Sequence, residues 1–267
     1  MNRPSWASMA RDRAAVDIKE FMRSREQMIF IFAFPLLLLV LFGSIFGGEE
    51  VAEGVSFGQY FLAGMIASGI MNTGFQSLAL GLATDRDDDV LKRLHGTPLP
   101  PTAFFAGKFA QVLFVSVVQI ALLIGVGVAA YGVELPTSAT VWGTFVWVFL
   151  LGTAASVALG IATSALLRNA RAGSAVLTPV VLFLQFISGV FIVFTQVPPF
   201  LQTVASIFPL KWLAQGMRSV FLPAEFESAE ASGSWQHPAT AIVLTLWFIA
   251  GTFLAVRTFR WQRPEDK

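Results

Sequence analysis

The side chains able to do chemistry are few in this chain, and they are poorly placed for catalysis. There is no cysteine, which removes a thiolate nucleophile, a disulfide frame and a cysteine-held metal. The only histidines, His95 and His237, fall in segments connecting apolar runs. No histidine cluster is therefore on hand for a metal, and none lies beside a serine inside an apolar run, as an intramembrane hydrolase requires. Small-residue stretches such as ASG at 67–69 and ISG at 187–189 are better explained as helix-packing contacts. The phosphate-cradling pattern GxxxxGK[ST] is also missing. Its nearest fragment, AGKF at 106–109, has no glycine five residues before Gly107 and no hydroxyl after Lys108, so ATP is not expected to bind here in the P-loop manner. The expectation is a non-enzyme with no catalytic residue, cofactor or metal of its own.

What stands out instead is charge. DRDDDVLKRLHGTPLPP, residues 85–101, packs Asp85, Arg86, Asp87, Asp88, Asp89, Lys92 and Arg93 into nine positions between two apolar runs. Read as one helix over 85–96, the stretch has Thr84 or Asp85 to cap its start, with acids early and bases late, as the helix dipole favours. Asp88 with Lys92 and Asp89 with Arg93 would form i, i+4 ion pairs, each worth a few tenths of a kcal/mol. Gly96 suits a left-handed position after the helix, and Pro98, Pro100 and Pro101 stop it from continuing. The spacing predicts a short stiff peg, roughly 15 Å long. Val90, Leu91 and Leu94 give it an apolar edge, which either packs on the chain itself or offers grip to a soluble partner.

A second set of polar groups lies within the apolar runs: Asn72, Thr73, Gln76 and Ser77; Gln111, Ser116 and Gln119; Gln185 and Ser188. Asn72 and Gln76, four apart, share a helical face. Asn72, Thr73, Gln76, Gln111, Gln119 and Gln185 are candidate lining groups of a transport pathway, the alternative being hydrogen bonds that hold helices together. Phenylalanine is abundant, at 26 residues. A route without fixed charge offers stacking and apolar contact, which favours a hydrophobic drug, a lipid or a lipid-linked glycan over a small ion.

The elements that must position these groups follow from hydropathy. Of 267 residues, 55% are hydrophobic and only 13% charged, about half the charged fraction of soluble domains; mean hydropathy is +0.68. This predicts an all-α integral membrane protein. Six runs reach the roughly 20 residues needed to cross a bilayer: 27–47, 59–84, 102–131, 139–167, 172–195 and 238–257. The polar residues before the first run do not resemble a cleaved signal peptide.

Every Lys and Arg except Lys211 and Arg218 falls before the first run, between runs two and three or at the start of run three, between runs four and five, or at the end of run six and beyond it. Those segments are expected in the cytoplasm, with both termini. The opposite side carries GGEEVAEG at 47–54, Glu134, Glu225, Glu227 and Glu230.

Two segments are expected not to cross. Residues 8–25 place Ala14, Ile18, Phe21 and Met22 on one face and Arg11, Arg13, Lys19, Arg23 and Arg25 toward phosphate headgroups, the pattern of an interfacial helix. Residues 197–221, cut by Pro198, Pro199 and Pro209, read as a re-entrant helical hairpin on the extracytoplasmic side, with Lys211 and Arg218 snorkelling to the headgroups. No run holds a deeply buried charge, Lys108 near a helix end being the closest case. Proton-coupled carriers usually hold such groups in mid-membrane, so energy is expected to enter from outside the membrane.

The segment DRDDDVLKRLHGTPLPPTAFFAGK resembles the stretch after the second span of type-2 ABC exporter permeases, in particular the daunorubicin-resistance-like branch. The resemblance rests on Asp85, Leu91, Lys92, Arg93, Leu94, Thr97, Pro98, Leu99, Gly107 and Lys108, while Asp89 and Val90 stand where that pattern favours glycine and threonine. The six runs, the amphipathic start, the outer hairpin and the basic tail are similar too, so the resemblance covers nearly the whole chain.

It implies a subunit of the bacterial cell membrane working as a pair, either two copies or this chain with a related permease. Two separately encoded ATPase subunits, holding ATP and magnesium, would grip residues 85–94 as a coupling helix. Membrane lipids are the other partners, and no nucleic acid is expected. The cargo implied is a drug or lipid; export of a polysaccharide or lipid-linked glycan is the nearest alternative. A secondary carrier or a non-transporting assembly protein is the alternative of a different class.

Overall fold

The computed structural model describes residues 5–46, 49–52, 54–259 and 261. Arg3, Arg260, Arg263 and Lys267 of the charge pattern lie outside the described residues, as do Gly47, Gly48 and Glu53. The chain is 80% helical, and its strands among the described residues are a two-stranded hairpin of β1 (Glu50–Ala52) and β2 (Val55–Ser56). Among the described residues the helices are α1 (Trp6–Arg23), α2 (Arg25–Phe46), α3 (residues 57–87), α4 (Val90–His95), α5 (Pro101–Tyr131), α6 (Ala139–Ser164), α7 (Ala170–Ile187), α8 (Pro199–Ala205), α9 (Pro209–Phe221) and α10 (His237–Thr258), with short 3₁₀ segments besides. The protein is an all-α integral membrane protein: α2, α5, α6, α7 and α10 are each long and apolar enough to cross a bilayer.

The run at 59–84 lies within α3, which is long enough to cross but diluted in the middle by Asn72, Thr73, Gln76 and Ser77. Its first half is enclosed on nearly every side and faces α2, α5, α6 and α9 rather than lipid. Where α3 crosses α6, a Cβ on Gly160 would lie 2.5 Å from the Gly74 carbonyl oxygen. Only glycine lets the two backbones meet this closely.

Two helices carry a π turn, at Ile29–Ala33 in α2 and Asn72–Ser77 in α3. The first has a visible cause. Pro35 has no N–H, so the carbonyl of Ile31, four residues earlier, loses its helical partner.

Contacts distinguish two ends. At the turn end, the start of α5, the end of α10 and the charged turn after α3 share one core of Leu78, Leu82, Leu91, Phe104, Val112 and Ala255. At the cap end, the hairpin, Tyr60, Val193, Phe226 and Trp235 form another. The span expected over 172–195 is shorter than its hydropathy suggested. It ends at Ile187, and a turn leads to a short 3₁₀ segment at Phe194–Gln196.

Candidate functional site

The charged segment is not the single peg that its spacing suggests. α3 continues without a break through Asp85, Arg86 and Asp87, so neither Thr84 nor Asp85 caps a helix start. The chain then turns at Asp88 and Asp89, where Asp89 takes a left-handed backbone with φ of 57°. Aspartate tolerates that conformation better than most residues, and glycine better still. A second, short helix, α4, follows over Val90–His95. Gly96 is right-handed, with φ of −73°, so its expected left-handed role belongs instead to Asp89. The two i, i+4 ion pairs do not form; Arg93 instead donates to the Asp88 carbonyl at 3.3 Å.

The seven charges divide into two groups. Asp85 and Arg86 are half-buried, and Asp87, though exposed, is held by a neighbouring helix. Asp85 pairs with Lys108 at 3.3 Å; Arg86 donates to the Ser164 carbonyl at the end of α6, at 2.9 Å; Asp87 accepts from the backbone N–H of Ala170 at the start of α7, at 2.9 Å. A free carbonyl at a helix C-terminus attracts a cation and a free N–H at an N-terminus attracts an anion. Arg86 and Asp87 thereby hold the end of α6 and the start of α7, while Asp85 ties the turn to α5 through the Lys108 side chain. Asp88, Asp89, Lys92 and Arg93 remain exposed.

Of the apolar edge, Leu91 is fully buried against Phe104, Leu78 and Leu82 in the chain's own core. It holds α4 to the bundle and has no surface left to offer a partner, which corrects its expected role in gripping one. Val90 and Leu94 are half-buried.

Asp17 was not among the residues that the sequence singled out, yet it is the buried centre of the same end. It pairs with Arg13 and, at 3.1 Å, with Lys108. Arg13 accordingly turns inward and not toward headgroups, and Lys108 is a buried charge within a long apolar helix. The signal was present: Ala14, Asp17 and Phe21, all buried, follow the i, i+3, i+7 rhythm of one face. An acid in that rhythm needs a buried cation opposite.

The polar groups within the runs meet mainly as pairs. Gln185 donates to Asn72 at 3.2 Å and Gln76 to Thr178 at 3.0 Å, joining α3 to α7; Gln111 donates to the Asp17 carbonyl at 3.3 Å. Gln119 does more. Its amide N–H donates at 2.9 Å to the Ile31 carbonyl that Pro35 leaves free, and its oxygen accepts from Thr73 at 3.3 Å. One side chain thus fastens the two π turns to each other. Asn72 and Gln76 are half-buried on the α7 side, whereas Thr73 and Gln119 are buried on the other. The six candidates therefore do not line one common surface.

At the cap end the structure overturns the expectation that Lys211 and Arg218 reach outward. Arg218 is fully buried; it pairs with Glu230 through two contacts of 2.5 and 3.1 Å and lies 5.2 Å above the Tyr60 ring. Lys211 is buried as well, donating to Gln215 at 2.6 Å and standing 3.5 Å from the Trp212 ring centre. Burial, reinforced by the Arg218 charge, pushes the Lys211 ammonium down to about 8. Among the described residues, no group of His, Asp and Glu is arranged to hold a metal ion.

Residues 14–222 match the family described as ABC-2 type transporter, and the chain belongs to that family. It is also similar to ycf38 of Porphyra purpurea, a protein named as a transport permease, being 26% identical over 205 residues that cover 74% of this chain and 68% of the relative. The protein is a multi-pass membrane subunit of an ABC transporter, a class that works with an ABC ATPase.

Proposed function

We propose that this subunit exports a hydrophobic or amphipathic molecule, a drug or a lipid, from the cytoplasm or inner leaflet of a bacterial cell membrane, with both termini in the cytoplasm. Two copies of a separate ATPase, holding ATP and magnesium, dock on the charged turn, and a second permease subunit, a copy or a relative, completes the pathway. The observation that carries the reading is the division of labour in the turn. Asp88, Asp89, Lys92 and Arg93 are exposed on the turn and the short helix after it, whose root is tied through Asp85, Arg86 and Asp87 to α5, α6 and α7. A load applied to the exposed charges is passed to three helices at once. Exposed charges of both signs favour orientation and salt-sensitive recognition of a partner.

The test is purification of the chain from its native membrane in mild detergent, followed by ATPase assay with and without amphiphiles. Co-purification of an ATPase whose hydrolysis responds to amphiphiles is the expected result. The variant Lys92→Glu/Arg93→Glu should weaken its retention about tenfold, more strongly at low than at high salt. A chain that purifies alone, or a variant that keeps its partner equally well, would sink the reading.

A further inference from the structure

The contact between α1 and α5 is made at Gly107, where a Cβ would lie 2.8 Å from Cγ of Arg13 and 3.2 Å from the backbone nitrogen of Ala14. The close approach brings Asp17 of α1 to Lys108. Lys108 Nζ then stands 3.1 Å from Asp17 Oδ1 and 3.3 Å from Asp85 Oδ2, so one ammonium joins a carboxylate of α1 to a carboxylate at the root of the charged turn. Arg13 and Lys108 both face the ring of Phe104, at 5.3 and 5.7 Å, and Gln111 holds the Asp17 backbone. Two cations and two carboxylates form a neutral, largely buried network; the Asp17 side chain is 1% exposed and those of Lys108 and Asp85 9% and 15%. Anchoring α1 to α5 alone requires only Asp17. The bond to Asp85 runs to a different element, the one that leads to the exposed charges.

We propose that Lys108 is a positioning residue that binds α1 and the charged turn into one body, so that a stroke delivered to the turn carries α1 with it. The consequence for transport rests on the exporter reading above; the physical tie does not. Because the chain has no native cysteine, two spin labels can be placed by Lys19→Cys in α1 and Thr97→Cys after α4, both at exposed positions. Their separation is then measured by pulsed electron resonance in the full chain with its ATPase, in lipid vesicles with and without ATP.

The expected result is a narrow distance distribution that is the same in both nucleotide states. Asp85→Asn, which leaves the Asp17–Lys108 pair and hence the α1 anchor in place, should broaden the distribution and lower transport per ATP hydrolysed at least fivefold. Asp85→Glu should restore both. An unchanged width and coupling ratio in Asp85→Asn would overturn the proposal, and so would a wild-type pair that changes its separation on ATP binding. If no ATPase accompanies the chain, the exporter reading fails. The labels on the chain alone still decide on the tie, with an unchanged width in Asp85→Asn counting against it.

Discussion

Buried charge is where single residues matter most. Arg218 and Glu230 are both enclosed and satisfy each other through a forked contact. Removing one partner strands the other in a medium where solvation is poor, at a cost of about 3–5 kcal/mol, whereas removing both together can be close to neutral. Glu230→Gln is therefore expected to lower unfolding stability in detergent by that amount, and Arg218→Met/Glu230→Leu by much less. Equal losses in thermal unfolding would show that the pair acts as two separate contacts. None of this was legible in the sequence. Lys211 and Arg218 sit between prolines in a stretch too short to cross a membrane, so they read as surface groups; Arg218 is enclosed by Tyr60, Gly189 and Glu230 and Lys211 by Trp212 and Phe194, contacts that form only in the folded cap.

Apolar run length fixed most of the helices, because a run of some 20 apolar residues has few alternatives to a membrane-crossing helix. Boundaries were legible where an identifiable residue sets them, as Pro101 does for α5 and Pro209 for α9. The charged turn was legible as a helix but not as a helix, a break and a second helix. Its break depends on one backbone torsion at Asp89 that composition does not announce. Asp89→Gly is accordingly expected to keep α4 in place and to raise stability modestly, by up to about 1 kcal/mol, because glycine enters the left-handed region without strain. Asp89→Val should lose at least as much, since a β-branched residue fits that region poorly. Guanidinium unfolding of the two variants checks the pair, and a glycine variant less stable than the valine one would refute the explanation.

For the molecule as a whole, alternation is the decisive property. The start of α5, the end of α6 and the start of α7 meet the charged turn, while the hairpin, Tyr60 and the loop around Trp235 meet at the other end. With the cysteine-free background, single cysteines at Leu166 and Thr97 should react with a membrane-impermeant thiol reagent only after the membrane is opened. A cysteine at Ser232 should react in intact cells, since all three sites are exposed. The reverse pattern would invert the orientation read from the Lys and Arg distribution. Within this frame the π turn in α3 sets a limit on how sequence variation is to be compared. Its wider turn holds about one residue more than the same length of α-helix, so the stripe of positions facing a given neighbour shifts by roughly 100° between Met71 and Leu78. The two halves of α3 thus follow separate phases, and an inward-facing pattern read on one half has to be rotated by that angle before it is applied to the other.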